Sequence, residues 1–186
     1  MLRRYGYSMD VDELPPIMTA DEFSAATGGV LSASTETIEW ALSAYSDAIR
    51  SYCGWHVAPA LGCVCESDGG RVIDLPALSV SDVAYVRVGD ETIDPSCYEW
   101  SGVGVVRFTA PCAAVSAGWR GVEVGYTAGV DGAGALQAAL ASMVQEFLVS
   151  HPGITNQSAG GTQVGYSATR GIMAHAAELA PWRAVV

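Results

Sequence analysis

A stretch with the two-residue period of β-strands lies between two stretches with the 3.6-residue period of helices, and this order restricts the chain to a mixed fold. The first helical stretch is the clearest. Ile38, Leu42, Tyr45, Ile49 and Tyr52 fall on one stripe; Ser34 or Thr35 can cap its start, Glu36 and Glu39 suit the positive end of its dipole, and Gly54 is its natural stop. The second runs from about Ala133 to Ser150, with Leu136, Leu140, Met143 and Phe147 on a wide apolar face, and Pro152-Gly153 ends it. Between them, Val72-Ile73-Leu75, Val80 to Val88, Tyr98 to Trp100, Val105 to Phe108 and Trp119 to Thr127 read as about five or six short antiparallel strands. Gly89-Asp90 is a turn signal. Along Val122-Glu123-Val124-Gly125-Tyr126 the valines and tyrosine face one way, Glu123 and Gly125 the other.

Two shorter helices complete the pattern. Thr19 and Glu22 form a capping box for a helix over 20–26 that stops at Gly28-Gly29, and Ile172 to Leu179 forms a last one before Pro181. The predicted fold class is therefore α+β: a helical bundle of two long and two short helices with an inserted antiparallel β-rich region. Residues 1–18 read as an N-terminal arm, because Pro15 and Pro16 deny a helix there. Residues 19–152 form the main domain, with helices 20–26, 35–53 and 133–150 and the β-rich insert 63–127. Residues 153–186 form a C-terminal arm with its short helix, and the polar, small-residue stretch 153–170 reads as a mobile loop. The core is expected at Leu42, Tyr45, Ile49, Leu140, Met143 and Phe147, with the two long helices packed on each other.

Only 16% of the 186 residues are charged, half are hydrophobic, and mean hydropathy is +0.26. Ordinary domains carry roughly 25% charged residues. Either surface is buried against partners, or alanine and glycine inflate the average. The apolar stretch Ala133–Val149 is broken by Gln137, Gln145 and Glu146, so no membrane span is expected, and Met1 to Asp10 lacks the apolar run of a signal peptide. The chain is expected to stay in a cytoplasm until it assembles. Its net charge of -11, with nine arginines and no lysine, argues against a broad grip on nucleic acid but suits a passage through which DNA slides.

No motif carries catalysis. There is no G-x-S-x-G, P-loop or H-E-x-x-H. The five cysteines (Cys53, Cys63, Cys65, Cys97, Cys112) read by default as reduced thiols, and the lone C-x-C at Cys63–Cys65 lacks the second ligand pair of a zinc site. A Cys53–His56 nucleophile pair has no evident orienting carboxylate, and His56 and His151 are better explained as caps at helix ends. No catalytic residue, metal or cofactor is expected.

In their order along the chain, these segments resemble the head-to-tail connector proteins of tailed bacteriophages. The resemblance is carried by Ile73-Asp74-Leu75-Pro76-Ala77-Leu78-Ser79-Val80-Ser81-Asp82-Val83, by Tyr98-Glu99-Trp100, and by Val122-Glu123-Val124-Gly125-Tyr126-Thr127-Ala128-Gly129 before the long helix. Cys53-Gly54-Trp55, the segment Gly160 to Ser167 and the ending Leu179-Ala180-Pro181-Trp182-Arg183 add to it. It spans roughly Pro15 to Arg183; the strand-rich middle departs from relatives that are almost wholly helical, and five cysteines are not a family trait. The resemblance implies a non-enzymatic virion protein at the head–tail junction. It implies an adaptor forming a ring, twelve-fold by the family's pattern, that docks on the portal, receives a stopper or tail protein and extends the DNA channel without binding DNA specifically. Gly160, Gly161, Tyr166, Pro181, Trp182 and Arg183 are the expected interface residues. Trp182 can instead cover the core of its own subunit. The rival readings are another virion part, such as a tail-completion protein, and a small hydrolase.

Overall fold

Residues 7–29, 33–109, 118–149, 156–159, 162–165 and 171–184 are described by the structure, a computed structural model. They form four α-helices and three antiparallel sheets, a mixed α+β architecture. The chain divides into two compact units: Met1–Leu14, Cys53–Gly132 and Trp182–Val186 make the first, Pro15–Tyr52 and Ala133–Pro181 the second.

The first unit is built on a five-stranded sheet. Strand β1 (Tyr7–Met9) pairs with β2 (Leu61–Ser67), β2 with β8 (Val122–Ala128), β8 with β4 (Val80–Val88), and β4 with the short β5 (Glu91–Thr92). A second sheet has the order β3 (Val72–Asp74), β7 (Val105–Phe108), β6 (Tyr98–Ser101). In the segment expected to hold five or six strands, the described residues thus form seven, divided between two sheets. The pattern conceals this because sheet membership depends on distant pairing, while Val72-Ile73 reads like any other short apolar run. Gly89 and Asp90 form the β4–β5 hairpin turn, with Gly89 at φ 56°.

Strand β8 is central. Val122, Val124, Tyr126 and Ala128 are buried, and Glu123 and Thr127 lie on the other face at intermediate exposure. Strand β4 departs from strict alternation. Val80, Val83 and Val86 are all buried three residues apart, because register shifts between Val80 and Asp82 and between Val83 and Tyr85 each insert an extra residue. Opposite Tyr85 stands Gly125, where a Cβ would lie 2.2 Å from the Tyr85 ring. The glycine leaves the space that the Tyr85 ring occupies.

The second unit holds α1 (Ala20–Thr27), α2 (Thr35–Cys53, whose last residue falls in the first unit), α3 (Gly134–Val149) and α4 (Ala176–Leu179). The capping box is formed: Glu22 N–H donates to Thr19 Oγ1, Thr19 N–H donates to Glu22 Oε2, and Gly28 ends the helix at φ 70°. At α2 it is Ser34 that caps, its Oγ accepting from Thr37 N–H. Phe23, Leu42, Ile49, Leu136, Leu140, Met143 and Leu179 are buried. Two members of the expected core are not: Tyr45 is half-buried and Phe147 is 36% exposed, its ring 5.7 Å from that of Trp40 and 6.1 Å from that of Tyr45. The long helices α2 and α3 touch here through aromatic rings at the surface.

The segments expected as arms hold more structure than their composition suggested. Tyr7–Met9 is a sheet strand, and Ile17 and Met18 are buried. Ser46 accepts the Ile17 N–H at 3.0 Å, and the buried Arg50 guanidinium donates to the Pro15 carbonyl at 2.5 Å while lying 3.4 Å from Asp47. Within the stretch expected as a loop, β9 (Asn156–Ala159) and β10 (Thr162–Gly165) pair as an antiparallel hairpin. Backbone pairing there does not depend on an apolar periodicity, so the pattern gave no sign of it. Among the described residues, no helix is long and apolar enough to cross a membrane.

Candidate functional site

The densest chemistry lies in the first unit, beneath β2 and β8. Cys63 and Cys65, two apart on β2, point to the buried side, where Tyr126 of β8 joins them. Tyr7 Oη lies 3.0 Å from His56 Nδ1 and 3.3 Å from Cys63 Sγ, and His56 Nε2 lies 2.8 Å from the Ala128 carbonyl oxygen. The protons can be assigned. A carbonyl only accepts, so Nε2 carries the ring hydrogen; for a neutral ring, Nδ1 then accepts from the Tyr7 hydroxyl. Cys63 can donate onward to Tyr7 or to the Leu61 carbonyl, 3.5 Å away.

Burial drives the two tyrosines and the two cysteines here toward their neutral forms. Burial raises the Tyr7 and Tyr126 hydroxyls far above the ordinary phenol range, raises Cys63, and pushes Cys65 up to about 11. A neutral thiol is a poor nucleophile. The cluster therefore acts as a structural lock: it ties strand β1, the turn after α2 and the end of β8 into one network. The Cys53–His56 pair is not assembled for catalysis. Both ring nitrogens of His56 are engaged elsewhere, and burial pushes Cys53 up to about 11 despite the nearby Arg183. Among the described residues, no group of three or more His, Cys, Asp or Glu is placed to hold a metal. Cys53, Cys63 and Cys65 are free thiols as expected, but Cys97 is disulfide-bonded, which corrects the default reading of all five as reduced.

Gly129 closes this region. Its φ is +114°, and a Cβ there would stand 2.3 Å from the Pro59 carbonyl oxygen and 2.8 Å from His56 Nε2. The Tyr126-Thr127-Ala128-Gly129 motif is thereby explained residue by residue: a buried ring, a strand residue at intermediate exposure, the carbonyl that orients His56, and a glycine that fits where no side chain does.

Of the expected interface residues, Gly160, Gly161 and Tyr166 lie outside the described residues. Pro181 and Arg183 are exposed, and Trp182 has intermediate exposure. The Trp182 backbone is engaged: its carbonyl accepts from Trp55 Nε1 at 2.7 Å, and Ala184 N–H donates to the Cys53 carbonyl at 2.8 Å. Sequence reasoning did not single out the exposed aromatics. Trp40 is 60% exposed and Trp119 83%. The turn bearing Trp119 is held by its neighbour: Arg120 N–H donates to Asp68 Oδ1, and its guanidinium lies 3.6 Å from Glu66.

No protein-family model matches the chain, and no curated protein matches it in sequence. Solved structures do match in fold. The chain is similar to one in a structure described as the neck of empty GTA particle computed with C6 symmetry, with 16% identity, 97% of this chain and 96% of that chain covered, and a TM-score of 0.67. It is also similar to one in the neck of native GTA particle computed with C12 symmetry, at 16% identity, 96% of each chain covered and a TM-score of 0.62. At this identity the likeness establishes a shared fold over nearly the whole chain.

Proposed function

We propose that this chain is a structural subunit of the neck of a phage-like particle, an adaptor in the ring between the DNA-filled head and the tail. The observation that carries the proposal is the near-complete coverage, in both directions, of a chain from a particle neck. In this reading subunits assemble into a ring, twelve-fold in the virion, that docks on the portal and receives a stopper or tail protein. The net charge of -11 suits a channel wall along which DNA slides without being held. Pro181, Trp182 and Arg183, together with Gly160, Gly161 and Tyr166, contact the portal or the neighbouring subunit, and the subunit is made in the host cytoplasm before it joins the virion. In this reading the role is structural, supported by burial that raises the Cys53, Cys63 and Cys65 thiols and by the engagement of His56 Nε2 with the Ala128 carbonyl.

The test uses particles produced from the same genome with and without this gene. The expected result is DNA-filled heads lacking tails when the gene is deleted, with cryo-EM of intact particles placing α3 and the five-stranded sheet in a ring at the neck. Complete tailed particles lacking this chain would overturn the proposal.

A further inference from the structure

Among the described residues, the exposed charge on the second unit is one-sided. Glu36 and Glu39 flank the exposed Trp40 on α2, and Glu146 precedes Phe147 on α3, close enough to raise the Tyr45 hydroxyl after burial has done so. Arg50 is the only described arginine of this unit, and it is buried against the Pro15 carbonyl. The helices that form this aromatic face thus carry exposed carboxylates at Glu36, Glu39 and Glu146 beside it in sequence, with no exposed arginine among the described residues of that unit.

Two such faces cannot stack on each other, because a twofold contact sets each patch against itself and like charges oppose. Among the described residues, the exposed arginines lie in the first unit. On its second sheet Val72 is 49% exposed and pairs across strands with Arg107, itself exposed; Arg71 precedes Val72, and among the described residues it has no ion pair. The Arg107–Glu99 pair at 2.7 Å has both side chains more than 60% exposed, so it is a weak surface pair whose guanidinium can be shared with another carboxylate.

We infer that the Trp40–Phe147 face of one copy seats the Arg71–Val72–Arg107 patch of a second copy of this chain, in a head-to-tail contact. Two different patches meeting in this way build a ring when the rotation between copies closes, whereas a self-complementary patch stops at a dimer. The inference rests on the ring reading above and gives it a specific interface: an aromatic centre that excludes water and a charged rim that fixes polarity.

Charge reversal with the full-length chain tests it. One variant carries Glu36→Arg and Glu39→Arg, the other Arg71→Glu and Arg107→Glu. All four positions are exposed, and circular dichroism checks that each variant is folded. Self-association is followed by sedimentation velocity across concentration, and by chemical cross-linking at high concentration. Each variant alone is expected to associate at least about tenfold more weakly than wild type. An equimolar mixture is expected to recover association, because each variant's intact patch meets the other's intact patch and the two reversed patches again attract. Trp40→Ala should weaken association, and mixing it with the Glu36→Arg and Glu39→Arg variant should give no recovery, because neither chain then offers an intact aromatic face. Wild-type oligomers that persist unchanged in both charge variants would overturn this interface while leaving the ring reading standing. A wild-type chain that never exceeds a monomer, even under cross-linking, would overturn both. Association lost in each variant but not recovered on mixing would also overturn the pairing of these two patches.

Discussion

Replacing Gly129 with alanine tests whether the end of strand β8 is a closely built lock. Two costs add. The backbone sits at φ +114°, beyond the left-handed well that L-residues tolerate at roughly 1–2 kcal/mol. The new Cβ would also stand 2.3 Å from the Pro59 carbonyl and 2.8 Å from His56 Nε2. Neither partner is a flexible chain end, so the backbone must shift at the ~1–3 kcal/mol typical of overpacking. Together these give about 2–5 kcal/mol. Gly132 is the internal control: it lies three residues on, also at positive φ (+66°), with nothing within 4 Å of an added Cβ. Gly132→Ala should cost only the backbone strain, ~1 kcal/mol. With a urea slope of about 2 kcal/mol/M, the midpoint should fall by about 1–2.5 M for Gly129→Ala and about 0.5 M for Gly132→Ala. Equal midpoints for the two variants would refute the reasoning, since they would show that crowding by Pro59 and His56 adds nothing.

Tyr7→Phe removes the hydroxyl 3.0 Å from the buried His56 Nδ1 and should destabilise the chain by about 1–3 kcal/mol in the same urea assay. Leu140→Ala empties a fully buried site on α3 and should cost about 2–5 kcal/mol. Alkaline pH should weaken the fold. Burial pushes Cys65 up to about 11 from an ordinary 9.0, with Cys53 alike, so the unfolded chain releases these protons at lower pH than the folded one. Their stabilisation is complete below about pH 9 and is lost as pH rises through about 11. Cys65→Ala should therefore flatten the fall in melting temperature between about pH 8.5 and 10.5.

The local signals were legible where the physics is local. A capping box needs only Thr19 and Glu22; a helix stop needs only Gly54; a two-residue hairpin needs only Gly89-Asp90. What the sequence did not disclose depends on distant partners. Strand β1 is three residues long, and its place is set by β2, more than fifty residues away. His56 read as a cap at a helix end, yet its partners are Tyr7, 49 residues before it, and Ala128, 72 after. The alternation in Val122–Ala128 was readable, but the reason for Gly129 was not, because Pro59 and His56 crowd it only once the chain has folded.

The misplacement of Phe147 is informative in a different way. Periodicity reports that a helix face is apolar, and does not report what covers it. Helix α3 uses Leu136, Ala139, Leu140, Met143 and Val144 within its own unit, yet Phe147 and Val149 remain 36% and 56% exposed, beside Trp40 at 60%. The low charge and raised hydropathy admitted two explanations, an excess of alanine and glycine or surface reserved for partners. Alanine and glycine cannot account for exposed tryptophan, phenylalanine and valine gathered at helix and turn positions. Part of the surplus is therefore large side chains on the surface, where they cost roughly 25 cal/mol for each Å² of apolar area left in water. A subunit that works packed against copies of itself removes that cost on assembly, and so the apparent error in the core assignment supports the reading of this chain as one part of a ring.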